Sequence, residues 1–179
     1  MSERYVALLR GVNVGGHAIV SMAELRESFV AMGFHDVATY IQSGNVVFTA
    51  DSGTPDAAEI ESRLVSDFQG VTSAVVLRSA REMTRLVKDN PFLTPGADLK
   101  ALYVSFMVAN PAADKAAAFA VPAGATEKMT LVARDVYQYF PDGYGHTKLA
   151  GAWLERALGV RATARNWRTV TTLERMATN

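Results

Sequence analysis

The chain has 179 residues, 49% of them apolar, and its 18 basic residues balance its 18 acidic residues. This is the composition of a folded globular protein, and zero net charge argues against uniform attraction to nucleic acid or anionic membranes. The absence of cysteine excludes disulfides, thiolate nucleophiles and thiolate metal sites. Because no apolar run reaches the ~20 residues that span a bilayer, and residues 1–4 show no signal-peptide pattern, we predict a cytoplasmic protein without a membrane partner.

The first half of the chain is predicted to fold as strand, helix, strand, strand, helix, strand and a further helix. Hydrophobic spacing predicts strands at 5–10, 37–41, 46–50 and 71–77 and helices at 21–32, 57–68 and 79–88. Two capping boxes, Ser21 to Glu24 and Ser79 to Glu82, indicate helix starts. Ser43 and Gly44 predict a tight hairpin.

The second half repeats this order after a Pro/Gly loop at 91–98. We predict strands at 101–108, 128–133, 136–140 and 160–163 and helices at 111–119, 147–158 and 166–176. The order is that of a split βαβ motif. The predicted fold class is therefore α+β, with two ferredoxin-like halves, 1–92 and 98–179, each carrying an extra C-terminal helix.

Polar residues follow strands at points that this topology brings together. In a split βαβ unit the first two strands run parallel with the third between them, so the loops after both lie at one sheet edge. In the first half these residues are Arg10, Asn13, Gly15, Gly16, Ser43 and Asn45. In the second half the same topology brings the loop after the third strand to the end of the fourth strand, and the polar residues there are Lys148, Arg165 and Asn166. We therefore predict a binding site for a small anionic ligand, such as a nucleotide or phosphorylated metabolite.

Each residue type in these loops also has a structural interpretation. The glycines do not have Walker or dinucleotide-loop spacing, so turns with positive φ are favoured for them. Asn13, Asn45 and Asn166 are typical turn or cap residues. Arg10 favours a ligand because its planar guanidinium fits carboxylate and phosphate, whereas a surface ion pair is the commoner role of an arginine at such a position. Arg165 and Lys148 are also predicted near helix N-termini, where a cation is disfavoured without an anion or carboxylate nearby. A ligand is one such partner, and Asp142 is the internal alternative.

Other function classes have less support. His17, His35 and His146 lack metal-ligand spacing, so neither a metal nor a cofactor is predicted. Tyr137 and Tyr139 alternate on a predicted strand and favour an RNA-associated module that stacks bases, which the balanced charge opposes. An enzyme acting on a phosphorylated substrate is a further alternative without an identifiable nucleophile or general base. The sequence leaves the oligomeric state open.

Three long segments resemble one widespread bacterial family, a domain of unknown function: YVALLRGVNVGGH, TYIQSGNVVF and TKLAGAWLERALGVRATARNWRTVTTL. The resemblance implies an α+β chain of two ferredoxin-like parts and implies no activity. Thr147 stands where family members often have serine. The recurring polar positions of the family fall on Arg10, Gly11, Asn13, Gly15, Gly16, Ser43, Gly44, Asn45, Lys148, Arg165, Asn166 and Trp167.

Overall fold

The structure is a computed structural model that describes residues 2–14, 19–51, 53–69, 71 and 74–179. The chain divides into two compact units, Met1–Leu86 with Thr172–Asn179, and Val87–Thr171. The division predicted from sequence follows the repeat of elements. In the structure, Thr172–Asn179 at the end of the chain belong to the first compact unit. Within that unit Thr84 Oγ1 donates a hydrogen bond to Glu174 Oε1 at 3.1 Å.

The first unit contains a four-stranded antiparallel sheet with strand order β2-β3-β1-β4. Its elements are β1 (Glu3–Leu9), α1 (Met22–Ala31), β2 (His35–Thr39), β3 (Asn45–Ala50), α2 (Ala57–Asp67), β4 (Val75–Ser79) and α3 (Ala80–Lys88). The first two strands flank β3, as the split βαβ topology predicts. The loops after β1 and β2 therefore lie at the same edge of the sheet.

Helices α1 and α2 cover one face of this sheet. Leu25 and Phe29 on α1 and Ile60 and Leu64 on α2 are buried in one cluster with Phe48 on β3. The rings of Phe29 and Phe48 lie 5.2 Å apart between centroids. Burying side chains of this size contributes roughly 1.5–3 kcal/mol each. This core holds in place the sheet edge that carries the polar loops.

The second unit contains a sheet with the equivalent order, β6-β7-β5-β8. A short 3-10 turn (Leu99–Ala101) precedes β5 (Leu102–Met107), α4 (Ala113–Ala118), β6 (Lys128–Val132), β7 (Asp135–Tyr139), α5 (Ala152–Leu158), β8 (Ala162–Asn166) and α6 (Trp167–Thr178). The α+β class with two similar halves, each followed by an extra helix, is therefore confirmed. Among the described residues, no helix combines the length and apolar character needed to cross a membrane.

Several predicted element boundaries are wrong. The helix predicted from Thr147 begins at Ala152, because Gly151, with φ 51° and ψ −115°, has a backbone conformation that a helix cannot contain. The strand predicted at 160–163 spans Ala162–Asn166, and that predicted at 71–77 spans Val75–Ser79. Such boundary errors arise because the spacing of apolar residues shows which face of a helix or strand is buried, but not the residue at which the element begins or ends.

The capping boxes have different outcomes. Ser79 and Glu82 form the reciprocal pair: the Ser79 N–H donates to Glu82 Oε2 at 2.8 Å and the Glu82 N–H to Ser79 Oγ at 3.3 Å. Ser21 occupies the N-cap of α1, but its side chain makes no capping hydrogen bond to the described residues. The predicted tight hairpin is wrong, because the five residues 40–44 connect β2 to β3.

Candidate anion-binding loops

The loop after β1 and the loop after β2 are joined in the first unit by the side chain of Asn13. Its Nδ2 donates to Gln42 O at 2.8 Å and to Val20 O at 3.0 Å, and its Oδ1 accepts from the Val20 N–H at 2.8 Å. The Leu9 N–H also donates to Gly44 O at 2.8 Å. These bonds confirm that the two loops converge. We call residues 10–14 and 40–45 the loop edge.

Gly44 is present at the loop edge because the chains approach closely there. Its φ is +70°, and a Cβ at this position would lie 2.8 Å from Leu9 Cβ and 3.3 Å from Val12 Cβ. A side chain would therefore be strained in the backbone and would also press against two buried residues. Positive φ and close packing therefore account for Gly44, and no ligand contact is needed to explain it.

Asn45 is fully buried, and its amide shapes the loop before β3. Its Nδ2 donates to Tyr40 O and to Ser43 Oγ, both at 3.0 Å. Ser43 itself is half-buried at the loop edge. The side chains of Asn13 and Asn45 therefore hold loop geometry, the role that the structural interpretation assigned to asparagine. Gly15, Gly16 and the neighbouring His17 lie outside the described residues.

Arg10 presents an exposed side chain at the loop edge. Its backbone is anchored, because the Arg10 N–H donates to Ala74 O at 2.9 Å. Gly11 and Asn13 both have positive φ, +74° and +56°, on either side of Val12. Alternation of backbone handedness turns successive N–H groups toward one side, the arrangement found in anion-binding backbone nests.

Ile41 at the loop edge holds an unfavourable conformation that the sequence did not indicate. Its φ is +49° and its side chain is 51% exposed. A β-branched residue in this region is an outlier that costs roughly 1–3 kcal/mol, and such strain is frequent at functional sites. Neither core packing nor turn propensity accounts for isoleucine at this position.

In the second unit Arg165 lies on β8, opposite Val104. It directly precedes Asn166, which caps α6, so it is near a helix N-terminus as predicted. Its side chain is 8% exposed. Its Nη1 donates to Thr163 Oγ1 at 2.7 Å and to Ala164 O at 2.9 Å. Burial lowers the pKa of Arg165 to about 10, while the nearby Tyr144 hydroxyl acts to raise it. A positive charge is therefore costly at this position.

An aromatic cluster lies near Arg165 and was missed in the sequence. Tyr144 stacks on Tyr103 with centroids 4.7 Å apart and meets Phe140 edge-on at 5.4 Å. Burial raises the pKa of Tyr144, and the negative form of Tyr103 adds to this, whereas Arg165 lowers it. Tyr144 belongs to an irregular Pro/Gly segment, where no hydrophobic period could mark it as packed.

Lys148 and Asn166 occupy different settings in the second unit. Lys148 is exposed in the turn before α5, so the prediction that it lies early in a helix is wrong. The preceding Thr147 donates through Oγ1 to Glu127 Oε1 at 2.7 Å. Asn166 Oδ1 accepts the Thr169 N–H at 2.9 Å, which caps α6 as its structural interpretation allowed.

Comparisons with known proteins identify the family. The model of a family described as protein of unknown function, DUF1697, matches residues 2–137. The chain belongs to this family. A solved structure of the conserved bacterial protein SP0830 from Streptococcus pneumoniae matches with 22% identity, covers 99% of both chains and has a TM-score of 0.74. At this identity the likeness shows a shared fold alone. No curated protein matches the chain.

The surface of this DUF1697 protein gives less support to base stacking than its sequence does. Tyr137 is only 3% exposed, so its ring has no free face for a base. Tyr139 is partly covered: Lys128 Nζ lies 5.9 Å from its ring centroid and the Phe92 ring 6.5 Å away. Among the described residues, no group of three or more histidine or acidic side chains is placed to hold a metal ion.

Proposed function

We propose that this DUF1697 protein binds a small anionic ligand, a nucleotide or a phosphorylated metabolite, at the loop edge of its first unit. Arg10 would supply the principal positive charge. The observation that carries the proposal is the Asn13 clamp, whose three hydrogen bonds of 2.8–3.0 Å fix the loop next to Arg10. A loop that is already ordered loses less entropy when a ligand binds.

The chemistry of the loop edge supports an anion over a neutral or cationic ligand. The Arg10 guanidinium offers a planar pair of donors that matches phosphate or carboxylate oxygens. The alternating backbone at Gly11 and Asn13 favours N–H groups directed toward the same ligand. The strained Ile41 is also consistent with a surface shaped for binding.

We propose separately that the cations of the second unit bind an anion. Burial disfavours the charge of Arg165, so an anion placed near its guanidinium would offset part of that cost. Lys148 is exposed on the segment that also contains Tyr144, whose hydroxyl acts to raise the pKa of Arg165. Asn166 serves mainly as a cap, and we assign it no more than a backbone-positioning role.

Binding is better supported than catalysis because the carboxyl groups whose pKa values are lowered, those of Asp67 and Glu127, stay ionised at neutral pH. The pKa of Asp67 is lowered, first by the hydrogen bond from Ser28 and then by that from Arg63. The pKa of Glu127 is lowered, first by the hydrogen bond from Thr147. A general acid or base near neutral pH needs the opposite shift.

The proposal is tested by measuring thermal shift and calorimetric binding with inorganic phosphate, pyrophosphate, AMP and ATP. We expect at least one of these anions to stabilise the wild type. Arg10→Ala should weaken its binding by about tenfold or more, since a charge-assisted hydrogen bond contributes roughly 1.5–3 kcal/mol. Lys148→Ala tests the second unit by itself, and a smaller loss of anion binding is expected there, because lysine binds phosphate as a single flexible point charge.

Two control variants remove a charge elsewhere. Arg85→Ala removes an exposed arginine from α3, and Arg156→Ala removes one from α5. Both should bind like the wild type, which separates local contact from a change in net charge. The proposal fails if no anion in the series stabilises the wild type, or if Arg85→Ala weakens binding as much as Arg10→Ala.

A further inference from the structure

Helix α4 of the second unit covers its sheet incompletely. It has six residues, Ala113–Ala118, and none of them, all within the described part of the chain, is buried. Helix α1, its counterpart after the first strand of the first unit, has ten residues and buries Leu25, Ser28 and Phe29. The sequence ADKAAA explains this difference, because alanine methyl groups do not reach far enough to fill a core.

The space that α4 leaves open is a cleft of about 610 Å³ within the second unit. Met129 and Leu131 on β6 line it together with Ala116 from α4 and Phe119 just beyond that helix. Phe119 is held against Trp153 with ring centroids 6.2 Å apart. The side chains that line the cleft are therefore mainly apolar, polar atoms contribute a comparable share of its surface, and Phe119 has a fixed neighbour.

The sheet beneath the cleft is internally bonded. Gln138 is fully buried on β7, where its Oε1 accepts a hydrogen bond from Ser105 Oγ at 2.6 Å. Its Nε2 lies 3.9 Å from Met129 Sδ, within range of a weak hydrogen bond to sulfur. This contact orients the thioether toward the sheet. Met129 also lines the cleft, where its unbranched side chain can adapt to an irregular ligand.

The lining identifies the chemistry of the ligand. None of the described residues that line the cleft carries a charge, and Asn110 supplies the polar side chain. An ionic ligand would lose hydration there without gaining a counter-charge, whereas an apolar ligand would exchange water for aliphatic and aromatic contact. The volume lies within the range of small-molecule sites, and the cleft is open to solvent.

A small molecule fits this cleft better than a protein partner. A stable protein interface uses about 20–30 residues from each side. Within 110–133, all of which the structure describes, Val132 is the large apolar side chain that is strongly exposed, at 49%. One such side chain beside a short cleft is too little for a second copy of the chain.

We propose that the cleft under α4 binds a neutral small molecule that combines an apolar part for Met129, Leu131 and Phe119 with a hydrogen-bonding group for Asn110. This site is independent of the proposed anion site, since its residues all belong to the second unit and include none of the proposed anion-binding residues. Failure of one proposal therefore does not contradict the other.

The test uses N-phenyl-1-naphthylamine, a neutral fluorescent probe with one N–H group. We expect its fluorescence to increase and saturate on titration with the full chain. Ala116→Phe, which places a ring in the cleft, should weaken binding by about tenfold or more, because the ring fills space that the probe needs. Ala117→Phe is the matched control: it adds the same ring at an exposed position of the same helix and should bind like the wild type.

A charged relative of the probe tests the ligand class. The analogue 8-anilinonaphthalene-1-sulfonate should bind about tenfold more weakly than the neutral probe, because its sulfonate would be desolvated among neutral groups. It should therefore displace the neutral probe poorly. Leu131→Asn provides a second variant if Ala116→Phe fails to fold by circular dichroism, and it should also weaken binding. Saturable probe binding that both phenylalanine variants leave unchanged would overturn the proposal. The proposal would also be overturned if the neutral probe did not bind or if the sulfonate bound as tightly as the neutral probe. A wild-type dimer that Ala116→Phe dissociates and Ala117→Phe does not would overturn it as well.

Discussion

The two units have the same strand order but cover their sheets differently. In the first unit α1 and α2 bury Leu25, Phe29, Ile60 and Leu64 over β1 and β3. In the second unit α5 buries Leu154 and Leu158, while α4 buries none of its described residues and leaves a cleft. Strand order therefore does not decide whether a sheet face becomes core or binding surface. The length and side-chain size of the covering helix decide it.

The largest expected difference between the units concerns phenylalanine. Phe29→Ala should lower the free energy of unfolding by about 3–5 kcal/mol, because it removes a fully buried ring between Phe34 and Phe48. Phe119→Ala should cost about 1 kcal/mol or less, since that ring lines an open cleft that water already reaches. Urea unfolding of both variants measures this. Equal losses would mean that the cleft is packed like a core.

A smaller contrast concerns two glycines with left-handed backbone. Gly44→Ala should cost about 2–4 kcal/mol, combining left-handed strain with the predicted clash against Leu9 and Val12. Gly124→Ala in the second unit has a similar φ of +83°, but nothing lies within 4 Å of a Cβ there. It should cost about 1–2 kcal/mol from backbone strain alone. Thermal unfolding distinguishes the two, and a Gly124 variant as unstable as the Gly44 variant would refute the close-approach argument.

The smallest effect concerns acid stability. The pKa of Asp67 lies below its ordinary 3.8 and that of Glu127 below 4.5 in the folded protein. Each carboxylate therefore adds stability that is present above its ordinary pKa and is lost as the pH falls through the lowered value. Ser28→Ala and Thr147→Val remove the principal hydrogen bonds, at 2.6 Å and 2.7 Å.

Each of these variants should be less stable than the wild type by a pH-independent amount between about pH 5 and 7. The difference should narrow as the pH falls below about 4, because the wild type then loses the interaction that the variant lacks. Unfolding measured from pH 7 to pH 2.5 follows this change. A stability difference that is unchanged at pH 2.5 would show that the hydroxyl acts through packing and not through its carboxylate.

The chain's local pattern was enough to predict the fold class and most of the elements. Leu25 and Phe29 recur at helical spacing, and Ser79 with Glu82 marks the start of α3, where the predicted capping bonds form. These features depend on neighbours within a turn or two. The predicted convergence of the two loops followed from topology alone, and the Asn13 bond to Gln42 confirms it.

Other roles depend on which surfaces meet in space. The sequence could not distinguish Gly44 as a close-contact glycine from a ligand-loop glycine, since Leu9 lies 35 positions away. It could not show that Arg165 and Tyr137 are buried while Arg10 is exposed, because alternation along a strand assigns faces but not what covers them. The cleft under α4 likewise arises from a short helix over a sheet. The periodic pattern of apolar residues thus determined the secondary structure and strand order, and tertiary packing decided which polar and apolar groups remain available for binding.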